Sequence, residues 1–94
     1  MKIKVGTYTA AKGENYGMNA LYVQAGSLTV WFSYDTIIAF QDGVEDRVGL
    51  SNPAGSTTAK HLGLVCPEYR LAQDDFDKAL HAAFDKHGVW IEKD

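Results

Sequence analysis

Three hydroxyl residues, a lysine and a histidine follow one another in "STTAKHL", residues 56–62, and this is the densest run of chemistry-bearing side chains in the chain. As an anion site it would combine the free N–H groups of a helix start, the hydroxyls of Thr57 and Thr58 and the charge of Lys60. The glycine-rich spacing that lets a backbone wrap a phosphate is absent before the lysine. Capping is the stronger reading, with Ser56 or Thr57 accepting from the first turn of a short helix. His61 has the chemistry of a general base, but no cysteine and no G-x-S-x-G serine stands beside it. It is expected to pack against the sheet with its ring nitrogens hydrogen-bonded.

The remaining candidates are weaker. His81 and His87 lie six positions apart, which puts them on different faces of one helix and not on the shared face a zinc pair needs. Asp74, Asp75 and Asp77 lack the alternating acidic loop, central glycine and closing glutamate of a calcium site. No metal and no cofactor are expected. Cys66 is the only cysteine, so an internal disulfide and every multi-thiolate site are excluded. With no basic neighbour to activate it, Cys66 reads as a small buried hydrophobe. Trp31, with Tyr22 near it, reads equally as a stacking or protein-contact anchor and as part of a second small core.

These residues need a scaffold, and the sequence describes an α+β one. Residues 1–9 alternate polar and apolar and form a first strand, while "AAKGENYGMN" over 10–19, with Tyr16 and Met18, reads as a loop. "ALYVQ" and "LTVWFSY" form a hairpin around "AGS". In its second arm Leu28, Val30, Phe32 and Tyr34 share the core face and Thr29, Trp31 and Ser33 the other. Asp35 and Thr36 turn the chain into "IIAFQ", and Asp42-Gly43 predicts a type I′ hairpin leading into "VEDRVGL". "SNPAGS" ends the sheet, and all that follows reads as helical. A short helix over 57–63 stops at Gly63. A longer one carries Phe76, Ala79, Leu80, Ala83, Phe84 and His87 along one face. Acids at its start, Lys86 and His87 at its end and Gly88 beyond it suit the helix dipole and a C-terminal stop. The predicted architecture is a small antiparallel sheet of four to five strands, with the C-terminal amphipathic helix packed on one sheet face.

Composition sets the outer bounds. A chain of 94 residues, 46% hydrophobic and 22% charged, is read as one globular domain, 1–94. Its net charge of −3 disfavours nucleic acid as a partner. "MKIKVGTY" has no apolar leader core and no run is long enough to span a bilayer, so a cytoplasmic protein without a membrane partner is expected.

"WFSYDTIIAF" followed by "STTAKHL" resembles a small uncharacterised domain of phage, plasmid and other mobile-element proteins, with S-Y-x-T-x-x-A-F and T-T-x-K-H-L motifs. The resemblance covers residues 20–65 and is carried by Ser33, Tyr34, Thr36, Ala39 and Phe40, then by Thr57, Thr58, Lys60, His61 and Leu62. It implies an origin more than an activity. If the fold brings the two motifs together, Tyr34, Thr36, Thr58, Lys60 and His61 form one polar cluster.

The expected function is a noncatalytic binding protein of mobile-element origin, occupying a surface of a host or phage protein and modulating a host process or defence. The alternative is a nucleic-acid or nucleotide binder using Trp31, Tyr34, Lys60 and His61. A small hydrolase or transferase built on His61 and a threonine is the least favoured reading. A homodimer through the first strand is the alternative to a protected sheet edge there.

Overall fold

The computed structural model describes residues 2–8, 20–52 and 55–92. The loop expected over 10–19, with Tyr16 and Met18, lies outside the described residues. The elements in chain order are β1 (Ile3–Thr7), β2 (Leu21–Ala25), β3 (Leu28–Ser33), β4 (Thr36–Asp42), β5 (Val48–Leu50), α1 (Ser56–Val65), β6 (Tyr69–Leu71) and α2 (Gln73–His87). The strands form one sheet in the order β1 to β6, antiparallel from β1 through β5, with β6 parallel to β5.

The α+β layout stands, with a sixth strand that the sequence pattern did not announce. "YRL" is short and polar, and its pairing depends on a crossover through α1. The chain is delivered to that edge when the N–H groups of Glu68 and Tyr69 both donate to the carbonyl of Arg47, at 2.9 and 3.1 Å.

Register sorts the side chains into two faces. Gly6, Tyr22, Trp31, Ala39 and Gly49 stand opposite one another across successive strands, and so do Val5, Val23, Val30, Phe40 and Val48. Neighbours along a strand point to opposite faces, so the two rows lie on opposite sides of the sheet. α1 covers the first row. A Cβ at Gly49 would stand 2.7 Å from Pro67 and 3.2 Å from Leu62, so only glycine admits that close approach. α2 packs on the second at Phe40, with the Phe76 ring 5.6 Å from that of Phe40, while Val5 at the far end of that row stays exposed. The sheet is therefore held between two helices, and its core has two layers.

Several local expectations are corrected. The β3–β4 turn is formed by Tyr34 and Asp35, and Thr36 already belongs to β4. Asp42-Gly43 does not close a type I′ hairpin, because Gly43 alone of the pair has positive φ and pairing resumes only at Val48. The wider connection is fixed by Glu45, whose N–H donates to Asp42 and whose carbonyl accepts from Gln41 Nε2. α1 is longer than expected: Gly63 lies inside it, and the helix ends where Cys66 takes a left-handed conformation, φ 52°. Its N-cap is Gly55, so neither Ser56 nor Thr57 stands at the expected capping position. Cys66 is exposed, not buried, because its position at the helix end turns it outward.

α2 matches its pattern. Phe76, Leu80, Ala83 and Phe84 are buried, Asp74 and Asp75 lie in the first turn and Lys86 and His87 in the last. Gly88 ends the helix at φ 64°, a left-handed geometry that costs glycine nothing.

Candidate functional site

The two motifs meet where the β3–β4 turn faces α1. Alternation along β3 puts Ser33 on the α1 side, where its hydroxyl lies 2.7 Å from Nδ1 of His61 and 3.2 Å from Oγ1 of Thr58. In α1 the residues facing the sheet are Thr58, His61, Leu62 and Val65, a spacing of three, four and seven from the first. Half of that stripe is polar, which hides it from a hydrophobicity pattern.

His61 is fully buried. Its ring is bracketed by Tyr8, edge-on at 5.9 Å, and by Tyr34, tilted at 6.2 Å. Burial holds its pKa below the ordinary imidazole value, so the ring is neutral around pH 7. Burial likewise pushes the Tyr8 phenol well above its usual range, and its hydroxyl donates to the carbonyl of Phe32.

Above this buried knot lies a groove of about 330 Å³ lined by Ser33, Tyr34, Thr36, Leu50, Asn52, Thr58 and Gln73. Its described lining carries hydroxyls and amides and no charge. Such a surface can donate and accept hydrogen bonds without the desolvation cost of an ion. Tyr34 stands half-exposed at φ 56°, the left-handed region that non-glycine residues seldom occupy.

The expected residues separate into three groups. Tyr34, Thr36 and Thr58 share the groove, and His61 lies beneath it. Lys60 is exposed and Thr57 half-buried, and neither lines the groove. Trp31 is in the core at 9% exposure, with the Arg47 guanidinium 5.2 Å from its ring centre, so its faces are taken up by packing.

Ser33, Asn52 and Gln73 were not singled out as groove residues. Ser33 sits at the head of the S-Y-x-T motif, which is a usable signal. Asn52 and Gln73 have none, since only the crossover carries them to the same place. Arg47 was missed too, although it ties α1 to the sheet: besides covering Trp31, its Nη1 donates to the carbonyl of Val65 at 2.6 Å, at the end of α1.

Among the described residues no group of three or more histidines, cysteines and acids is arranged to hold a metal. Among them also, no helix is long and apolar enough to cross a membrane.

Fold and site together define a small α+β domain, a mostly antiparallel sheet between two helices with an uncharged groove at one end of α1. The chain belongs to a family of unknown function, DUF8033, whose model matches residues 2–80. The match extends beyond the 20–65 stretch that carries the motifs, reaching back through β1 and forward to Leu80 in α2. No curated protein and no solved structure matches the chain.

Proposed function

We propose that the protein is a noncatalytic, cytoplasmic binding protein of mobile-element origin that acts by occupying a surface of a host or phage protein, modulating a host process or defence. The observation that carries this reading is Tyr34. A large ring held half-exposed in a left-handed turn, at the rim of an uncharged groove, suits a contact anchor. Holding a non-glycine residue there costs about 1–2 kcal/mol, strain of the sort that gathers at functional positions. The paired motifs support the mobile-element origin.

The test is capture from nuclease-treated host lysate at low and high salt, with wild type beside Tyr34→Gly and Lys60→Ala. Glycine relieves the turn but also removes a ring that packs on His61, so the contact is read as lost only where circular dichroism shows the variant folded like wild type. We expect one protein, retained at high salt by wild type and Lys60→Ala and released by Tyr34→Gly. Nucleic acid recovered only at low salt, and lost with Lys60→Ala, would overturn the reading in favour of phosphate contact.

The exposure of Ile3 and Val5 on the edge strand β1, 68% and 60%, favours a second contact, between two copies of this chain. Sedimentation of wild type beside Val5→Asp tests it: a dimer that the aspartate dissociates supports edge pairing, and a monomer at every concentration removes it.

A further inference from the structure

On the α2 side of the sheet a second cavity, of about 200 Å³, opens between the β3–β4 turn, α2 and the segment that follows α2. It adjoins the groove, sharing Thr36 and Gln73 with it. Its lining divides by chemistry. Phe32, Leu80, Phe84 and Ile91 give it apolar lining, and the acidic residues Asp35, Asp77 and Glu92 line it as well. No lysine or arginine stands among the described lining residues.

Trp90 completes the wall. Its ring packs 5.3 Å from Phe84 and 5.0 Å from His81, which fixes its position, yet the residue stays 62% exposed. Asp77 is fixed as well, its Oδ1 accepting from Gln73 Nε2 at 2.9 Å.

Apolar lining, an exposed indole and several carboxylates are complementary to one kind of occupant, a cation carried on an aliphatic stem. The stem lies on hydrocarbon while the charged head meets the ring and the acids. A planar guanidinium stacks on indole and meets carboxylates through a fixed fork of donors, which an ammonium group does not. We propose that this cavity seats an arginine side chain of the protein partner. The proposal rests on the protein-contact reading above and adds the chemistry of one anchor: Tyr34 reaches into the partner from one side of Thr36, and the partner's arginine reaches back on the other.

Amide and indole NMR shifts of the full chain, titrated with N-acetyl-arginine amide, N-acetyl-lysine amide and N-acetyl-citrulline amide, test this directly. The arginine probe should shift the Trp90 indole and the amides of Asp77 and Glu92 and saturate in the millimolar range. Lysine should bind more weakly and citrulline should shift nothing there. Glu92→Gln, at an exposed position, should weaken arginine binding roughly tenfold, about 1.4 kcal/mol, without altering the rest of the spectrum. Equal shifts from arginine and citrulline, equal affinity for lysine, or shifts that leave Trp90 untouched would each overturn the proposal. The titration needs no partner protein, so a silent cavity sinks this inference alone and leaves lysate capture to decide the wider reading.

Discussion

α1 meets the sheet through Thr58, His61, Leu62 and Val65, while α2 meets it through Phe76, Leu80, Ala83 and Phe84. On the α2 side a continuous apolar stripe lies on Phe40 and its neighbours, and burial of hydrocarbon supplies the stabilisation. On the α1 side the fit is set by position: a glycine where Pro67 and Leu62 press close, a serine joining His61 to Thr58, an arginine at the helix end. Apolar burial is tolerant of small displacements, whereas a hydrogen-bonded knot in a dry interior holds one geometry or loses most of its value. The groove and Tyr34 sit over the side that is fixed in this way.

The largest effect should come from the tolerant side, because Phe40, Phe76 and Phe84 are buried there together. Phe76→Ala removes a ring that is 1% exposed and is expected to cost about 3–5 kcal/mol, a large share of the roughly 5–15 kcal/mol that a folded domain commands. Urea unfolding followed by circular dichroism checks it. A loss below about 1 kcal/mol would mean that the surrounding residues collapse into the space, and the contrast between the two sides would fail.

The same contrast decides what was legible in the sequence. The α2 stripe repeats at helical spacing, its charges follow the dipole and Gly88 stops it, so that helix can be read nearly residue by residue. β3 and its alternation were legible for the same reason as far as Ser33, with Trp31 on the side opposite Val30, but both faces are buried, and Tyr34, expected on the core face, stands half-exposed in the turn beyond the strand. α1 was legible as a short helix over 57–63 but its buried face was not, since Thr58 and His61 occupy half of that stripe and the partner of His61 lies 28 positions away in β3. β6 escaped because three residues carry no period and its neighbour is set by a crossover. The polar cluster was anticipated in kind, from two motifs that both follow turns. The packing of His61 against the sheet was anticipated with it, but not its bracketing by the rings of Tyr8, just past β1, and Tyr34, in the β3–β4 turn.

A middle-sized effect should come from the knot. Ser33→Ala removes the hydroxyl beside Nδ1 of a buried ring, and at neutral pH it should cost about 1–3 kcal/mol. Acidification adds a second reading of the same site. The pKa of His61 in the folded chain lies below its ordinary value of 6.5, so on acidification the unfolded chain takes up that proton before the folded one does. Its contribution is fully present above 6.5 and is lost as pH falls from there through the folded value. Wild-type stability should therefore decline across that window, and His61→Leu should flatten the decline. A decline of the same slope in His61→Leu would assign it elsewhere and separate the groove from the protonation of its floor.

The smallest effect belongs to an ionic contact that ties α2 to the sheet. Asp42 at the end of β4 has Oδ1 2.7 Å from His87 Nε2 and Oδ2 3.0 Å from Lys86 Nζ. Hydrogen bonds from His87 and then Lys86 hold its carboxyl below the ordinary value of 3.8. The sign is that of a stabilised carboxylate. Its contribution is present above 3.8 and disappears as pH falls through the folded value, so its loss begins at a lower pH than that of His61, which begins at 6.5. The Asp42 side chain is 13% exposed but that of Lys86 is 63% exposed, so solvent and salt screen part of the contact. Asp42→Asn should cost about 0.2–1 kcal/mol at pH 7, less in high salt, and urea midpoints measured across pH should differ between variant and wild type only above the acid window. If its cost equals that of Ser33→Ala, the α2 side also depends on a polar key. Acid would then loosen the two faces in succession, α1 first and α2 after it.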